Sequence, residues 1–151
     1  MVDFAPQDPD FRARVETSFA QQDFMALLGA ELLSAEPGRV EIALPLRPSL
    51  EQQHGFAHAG AIWSIADSAS GYAAQSLMAA GDGVLTVELK INLLAPGRGT
   101  RLIARGQVER AGRRLTVARS NVVSLDAAGA ETAIATTLGT FMTMTGLSDK
   151  P

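Results

Sequence analysis

The 151-residue sequence contains no cysteine, and this absence excludes several classes of protein. Without cysteine there is no disulfide framework, no thiolate nucleophile and no metal site built on cysteine ligands. Aromatic residues make up only 5% of the chain, with one tryptophan, one tyrosine and two histidines in total. Any chemistry that requires histidine must therefore use His54 or His58.

The sequence also lacks an excess of basic residues and a long apolar run. Its net charge is −3 and its pI is about 5.3, which argues against nucleic acid as the main partner because phosphate binding needs a basic face. Residues 1–16 carry acidic groups where a secretory signal would need a basic region and an apolar stretch, and no apolar run reaches membrane-spanning length. We therefore expect a cytoplasmic protein without a nucleic-acid or membrane partner.

The composition and length predict one domain over residues 1–151. The chain is 46% hydrophobic and 19% charged, which is ordinary for a globular domain with a real core. An N-terminal helix is predicted over about residues 8–29, because Asp8 and Pro9 form a start signal and Gly29 an end signal. The core of the domain is expected over about residues 39–145.

Within that core the apolar pattern predicts an α+β fold. Alternation with period two predicts a strand from Arg39 and four long antiparallel strands after residue 83, the third over 115–125 and the last over 131–145. Between them, residues 59 to about 79 have the pattern of a helix that is covered on most sides. We expect a long central helix wrapped by one antiparallel β-sheet.

The central helix contains one carboxylate, Asp67, in an otherwise apolar run. A buried carboxylate is costly unless it is paired, so it has either a structural partner or a chemical role. The free amides at the start of the same helix, at Ala59 or Gly60, are suited to polarise a carbonyl. Asp67 lies eight residues beyond Ala59, roughly 12 Å along the helix, so it cannot attack a carbonyl held at the start of its own helix.

The sequence His58-Ala59-Gly60, with Asp67 nine positions after the histidine and the strand LTVELKINLLAPG downstream, resembles the hotdog-fold thioesterases of the PaaI-like, phenylacetate-pathway group. Their motif is His-Gly-Gly with an aspartate nine residues after the histidine, preceded by an Asn-x-x-Gly element. The resemblance covers about residues 39–144. It implies hydrolysis of an acyl-CoA thioester at a dimer interface, with no metal and no cofactor, since coenzyme A is part of the substrate.

The resemblance assigns roles to individual residues. Asp67 matches the catalytic base or nucleophile, His58 the histidine that supports the loop, and Ala59 the first glycine, whose amide polarises the thioester carbonyl. Gln52 stands three residues before Gly55, where the family often has asparagine, and Thr86 stands where relatives have a hydroxyl that positions water. The candidate catalytic residues are Gln52, His58, Ala59, Gly60, Asp67 and Thr86.

Further residues are candidates for binding the substrate. Arginines in the predicted hairpin after residue 109 could clamp the phosphates of coenzyme A, although they could equally be the solvated face of a sheet. The candidate substrate-binding residues are Gln53, His54, Gly55, Ser68, Arg110, Arg113 and Arg114. The acyl group, aromatic or medium-chain, is not fixed by the sequence.

Two other functions remain open from the sequence. The same pocket could belong to a non-catalytic acyl-CoA binding or sensing module, or the fold could carry a hydroxyacyl dehydratase, although the dehydratase has a different motif around its histidine and acid. Asp67 could also be a structural residue satisfied by Ser64, Ser68 or the backbone. The distance between Ala59 and Asp67 predicts at least a homodimer, and the relatives suggest a tetramer built as a dimer of dimers.

Overall fold

The computed structural model describes residues 4–150, which form three α-helices and one six-stranded antiparallel sheet. The helices are α1 (Phe11–Ala20), α2 (Asp23–Leu28) and α3 (Ala59–Gln75). The strands are β1 (Glu31–Glu36), β2 (Arg39–Pro45), β3 (Gly83–Leu93), β4 (Arg101–Ala111), β5 (Leu115–Leu125) and β6 (Glu131–Met144). The predicted α+β hotdog architecture, a long helix with one sheet around it, is confirmed.

The order of strands across the sheet is β1-β2-β4-β5-β6-β3, so β1 and β3 are the edges. Helix α3 lies against the inner face of the sheet, where Ile65, Ala69 and Ala73 are fully buried. Strand β4 allows a very close approach at Gly106, where a Cβ atom would come within 2.2 Å of the Ala69 carbonyl oxygen. The helix therefore rests directly on the backbone of the sheet at this point.

The N-terminal segment differs from the single helix predicted over residues 8–29. The helix begins at Phe11, because Asp8 accepts a hydrogen bond from the amide of Asp10 and so forms a turn before it. It is then interrupted at Gln22, whose backbone is extended (ψ 95°) and whose side chain reaches Tyr72 in α3. Gly29 ends α2 in a left-handed conformation (φ 77°), as predicted.

Strand β1 was not predicted, and α3 is shorter than predicted. The residues of β1 lack a clear alternation because the register shifts between Leu32 and Ser34. Helix α3 ends at Gln75 rather than near residue 79. The guanidinium group of Arg14 donates hydrogen bonds to the carbonyls of Gln75, Met78 and Ala79. These bonds satisfy backbone carbonyls that have no helical partner where α3 ends.

None of the helices in residues 4–150 combines the length and the apolar character needed to cross a membrane.

Candidate active site

The start of helix α3 is shaped by His58. The histidine occupies the N-cap position, and its Nδ1 accepts a hydrogen bond from the amide of Gly60 over 2.8 Å. A ring nitrogen here does the work that a serine or aspartate oxygen does at most helix starts. The neighbouring carbonyl of His58 accepts from the amides of Ala61 and Ile62, so the first turn is closely held.

One amide in this first turn is left over. Within the part of the chain that the structure describes, the amide of Ala59 has no hydrogen-bond partner, and the residue is exposed. The amide of Gly60, the other candidate, is already occupied by His58. The geometry therefore makes Ala59 the better donor to an incoming carbonyl, with the positive end of the helix dipole behind it.

The loop before α3 is held in place beside this amide. The amide of Ala57 donates to the carbonyl of Gly97, and that of His58 donates to the carbonyl of Leu50, so the loop is tied down at its end. Gln52 and Ala59 line the same mostly apolar cavity of about 400 Å³. The side-chain oxygen of Gln52 accepts a hydrogen bond from the amide of His54. The side-chain nitrogen of Gln52 is therefore the group that can donate a hydrogen bond to a ligand.

Asp67 lies in the middle of α3, on the side that faces β3. The hydroxyl of Thr86 in β3 donates to Oδ1 of Asp67 over 2.8 Å. Burial raises the pKa of Asp67 above its usual value, and the hydrogen bond from Thr86 opposes part of this rise. Ser64 does not bond to Asp67, because its hydroxyl donates to the carbonyl of Gly60. The partner of Asp67 is thus a residue that the family resemblance had placed in the site.

Asp67 also opens into a cavity of about 470 Å³ between α3, the start of β3, the α1–α2 junction and the C-terminal segment. Ser68 and Thr86 lie in its wall beside Asp67, and Tyr72 and Gln75 lie further along the helix. We call this cavity the Asp67 chamber. Sequence reasoning gave no role to the N-terminal helix or to residues 147–150, which also line it, because no local pattern signals that they fold against α3.

The other predicted binding residues are divided between the two ends of α3. His54 and Gly55 line a small cavity beside the helix start, where the guanidinium of Arg98 lies 4.3 Å from the ring centre of Phe56. Gln53 is exposed and its amide nitrogen lies 3.3 Å from Nε2 of His54. None of these residues lines the Asp67 chamber.

The arginines lie at the opposite end of the molecule from Ala59. Arg113 and Arg114 form the turn between β4 and β5 and line a cavity of about 630 Å³ together with the end of α3. Arg110 lies near the end of β4. Helix α3 is roughly 24 Å long, so within one chain these arginines are not near the Ala59 amide.

Comparison with known proteins identifies a family and solved structures that this chain resembles. Residues 54–131 match the model of the thioesterase superfamily. A solved thioesterase family protein from Silicibacter pomeroyi is 47% identical, with a TM-score of 0.86 over 88% of this chain and 97% of that chain. The phenylacetic acid degradation protein PaaI of Thermus thermophilus is 29% identical, with a TM-score of 0.70 over 80% of this chain and 98% of its own.

A curated relative points the same way. A protein of Saccharolobus solfataricus whose name describes an esterase is 30% identical over 105 residues, which is 70% of this chain and 69% of the relative. The segment of this chain that matches the family model begins at His54 and therefore contains His58, Ala59 and Asp67.

Proposed function

The chain belongs to the thioesterase superfamily and is a thioester hydrolase of the hotdog fold, and from this premise we propose that it hydrolyses the thioester of an aromatic or medium-chain acyl-CoA. The observation that carries the proposal is the pairing of Asp67 with Thr86 beside an open cavity, in a chain whose Ala59 amide has no partner among residues 4–150. One group can activate a nucleophile and the other can stabilise an oxyanion.

The electrophilic half of the site is the start of α3. The amide of Ala59 donates to the thioester carbonyl, and this bond strengthens as negative charge develops on the oxygen in the transition state. His58 positions this donor without touching the substrate, because its ring is engaged with the amide of Gly60. Gln52, in the same cavity as Ala59, holds the carbonyl or a water through its amide nitrogen.

The nucleophilic half is Asp67. As a general base it removes a proton from water, the resulting hydroxide adds to the carbonyl carbon, and the C–S bond breaks to release the coenzyme A thiolate and the free acid. As a nucleophile it attacks the carbonyl carbon, the C–S bond breaks to release the coenzyme A thiolate, and water hydrolyses the resulting mixed anhydride to the free acid and the regenerated Asp67 carboxyl group. Both routes need the ionised carboxylate, and Thr86 supports that form by donating to it. The proposal includes either route.

A working site needs two chains. The carbonyl at Ala59 and the carboxylate of Asp67 are separated by roughly 12 Å of the same helix, so the Asp67 that serves one Ala59 comes from another chain. We propose a homodimer with two equivalent sites, in which the α3 helices lie antiparallel. No cofactor takes part, because coenzyme A enters as part of the substrate.

The free edge of the sheet supports this assembly. Among residues 4–150, β3 pairs with β6 on one side only, and it exposes about half of each of Leu85, Val87 and Leu93. A long edge strand with exposed apolar side chains is a site for pairing with another chain. Thr86, which bonds to Asp67, lies on this same edge. A second chain that pairs here would therefore approach Asp67 directly.

Larger assembly and phosphate binding complete the proposal. In the antiparallel arrangement, Asp67 of the second chain meets Ala59 of the first chain, and the end of the second chain's α3 lies about 12 Å further along that helix. Arg113 and Arg114 of the second chain lie close to this end of α3. We propose that these arginines, with Arg110, bind the phosphates of coenzyme A.

Exposed Leu115 and Leu138 on the sheet provide apolar surface through which two dimers form a tetramer.

The test is a panel of acyl-CoA thioesters, aromatic and aliphatic, with released thiol detected by a disulfide reagent. Release of thiol that saturates with substrate supports the proposal. An acyl-CoA binding module would bind the panel, as measured by calorimetry, without releasing thiol. A hydroxyacyl dehydratase would change the enoyl absorbance without free thiol. Either of these two results would overturn the proposed function.

A further inference from the structure

Helix α3 leaves one of its faces uncovered in the single chain. Over residues 59–70, positions 61, 62, 65, 66, 69 and 70 are buried, whereas the positions between them are at least partly exposed. This repeat of about four positions places the exposed residues on one face of the helix. They are Ala59, Gly60, Trp63, Ser64, Asp67 and Ser68, and we call this set the open face of α3. Both halves of the proposed catalytic site therefore lie on one uncovered surface.

The position of the two catalytic groups identifies the occupant of the open face as α3 of a second chain. The Ala59 amide and the Asp67 carboxylate lie roughly 12 Å apart on their own helix, so an antiparallel second helix is needed to bring such a pair together. Charge agrees with this orientation, because Asp67 then faces the positive N-terminal end of the other helix. The open face is also continuous with the exposed edge strand, since Asp67 bonds to Thr86 and Trp63 to Leu89, both in β3.

A two-fold axis has a fixed place in this arrangement. Contacts across such an axis are reciprocal, so when Asp67 of one chain meets Ala59 of the other, the reverse contact forms as well. Trp63 is midway between these positions, four residues or roughly 6 Å along α3 from each. We infer that Trp63 lies on the dimer axis, packs against Trp63 of the second chain and sets the spacing between Ala59 and Asp67 in both sites. This inference rests on the proposed function and names a positioning residue for it.

The surroundings of Trp63 fit this position. It is the one bulky side chain on the open face, and it is 36% exposed in the single chain although tryptophan is usually well buried. Its indole nitrogen donates to the carbonyl of Leu89 over 3.4 Å, so the side chain leans from the helix toward β3. Two indoles that meet on the axis would cover each other and fill the space between the two helices and the two edge strands.

Cross-linking tests the axis, and the sequence suits this test because it contains no cysteine. Trp63→Cys in the full-length chain supplies one thiol per chain, next to its counterpart. Oxidation with copper phenanthroline should join the chains when the Cα atoms lie within about 7 Å, and a methylene-bridged bis-thiosulfonate covers a slightly wider gap. A non-reducing gel measures the rate at which linked dimers form.

Ser68→Cys is the matched control, because Ser68 lies on the same open face but away from the axis. Its counterpart would lie roughly 15 Å away along the helices, so linking should be at least about tenfold slower than for Trp63→Cys. Ser64→Cys, displaced from its counterpart by roughly 3 Å, serves if Trp63→Cys does not fold. Linking at position 68 as fast as at 63, or no linking at 63 and 64 with either reagent, overturns the inference.

Kinetics test the positioning role. Trp63→Ala should misplace Asp67 relative to Ala59, so kcat should fall by about tenfold or more while KM stays within about threefold. Trp63→Phe retains an aromatic ring and should keep kcat within about threefold of the wild type. Leu33→Ala removes an exposed apolar side chain from β1, at the opposite edge of the sheet, and as the control it should change neither constant. Wild-type kcat in a folded Trp63→Ala variant would overturn the positioning role.

The outcomes separate this inference from the proposed function. If the wild type releases thiol but the chains link at position 68 rather than at 63, the inference fails and the thioesterase proposal stands. If no thioester in the panel releases thiol, the proposed function fails, and the positioning role fails with it. The cross-linking pattern does not depend on activity, so it decides in either case whether Trp63 lies on the axis.

Discussion

The hydroxyl of Thr86 donates to Oδ1 of Asp67 over 2.8 Å, which joins the edge strand β3 to the middle of helix α3. This bond holds the carboxylate at the edge of the sheet where the long strand β3 exposes apolar side chains. It also stabilises the charged form of an aspartate whose pKa is raised by burial. The carboxylate is thereby kept oriented and ionisable beside the chamber.

Replacing this carboxylate tests its role in the reaction. Asp67→Asn should fold normally, because an amide oxygen still accepts the hydrogen bond from Thr86. Turnover should fall by at least about a hundredfold, the size expected when a base or nucleophile is removed. Thiol release gives kcat, and circular dichroism with a thermal melt confirms folding. Near-normal turnover in a folded Asn variant would remove Asp67 from the mechanism.

The pH profile tests the Thr86 contact. Thr86→Val removes a bond that favours the carboxylate, so the pKa of Asp67 should rise further and the acid limb of kcat/KM should move to higher pH. Activity is then lost first at the acid end, where Asp67 becomes protonated. Thr86→Ser retains a hydroxyl and should keep the wild-type profile. An unshifted acid limb in the valine variant would show that another group limits the rate there.

His58 should affect the protein through the helix start rather than by proton transfer. His58→Ala removes the N-cap acceptor for the Gly60 amide, which should cost about 1 kcal/mol of stability and lower kcat less than Asp67→Asn does. His58→Asn places another acceptor at the cap, so it should restore both stability and turnover. Failure of Asn to restore turnover, with stability recovered, would instead indicate direct chemistry by the imidazole.

The proposed role of the arginines predicts different changes in KM for substrates with and without the phosphates of coenzyme A. The double variant Arg113→Ala with Arg114→Ala should raise KM for an acyl-CoA by about tenfold, because charge-assisted bonds to phosphate are lost. The same acyl group on a short pantetheine thioester should be unaffected. Arg101→Ala, an exposed arginine at the other end of β4, is the matched control. Equal effects on both substrates would point to folding or packing.

Subunit complementation tests the shared site. Ala59→Pro removes only the amide hydrogen, since proline fits the first position of a helix. Mixed in equal amounts with Asp67→Asn under free exchange, it should restore about a quarter of wild-type activity, because half of the dimers are mixed and each holds one intact site. If both variants fold and exchange but mixing restores nothing, Asp67 acts within its own chain or has no part in catalysis.

The predictability of the fold followed the regularity of the local patterns. Strand β5 was predicted at its observed limits, Leu115–Leu125, because a turn sequence stands on each side of it, at residues 112–114 and 126–129. Strand β1 was missed because the register shift after Leu32 removes the alternation. The predicted N-terminal helix is two helices, because Gln22 leaves the helical conformation and bonds to Tyr72, a contact between residues fifty positions apart.

For the site, the sequence by itself determined the chemical groups and their separation along α3. The positions of Ala59 and Asp67 on one helix fix their separation along its axis at roughly 12 Å, which is why the prediction of a second chain rests on the sequence alone. Only the tertiary structure decided which groups are free. His58 occupies the Gly60 amide and leaves that of Ala59 open, Thr86 reaches Asp67 across nineteen residues, and Tyr72 meets Gln22 at the end of the chamber. The Thr86–Asp67 and Tyr72–Gln22 bonds join elements distant in the sequence, and local patterns carry no record of them, whereas the His58–Gly60 bond is local but depends on the orientation of the His58 ring.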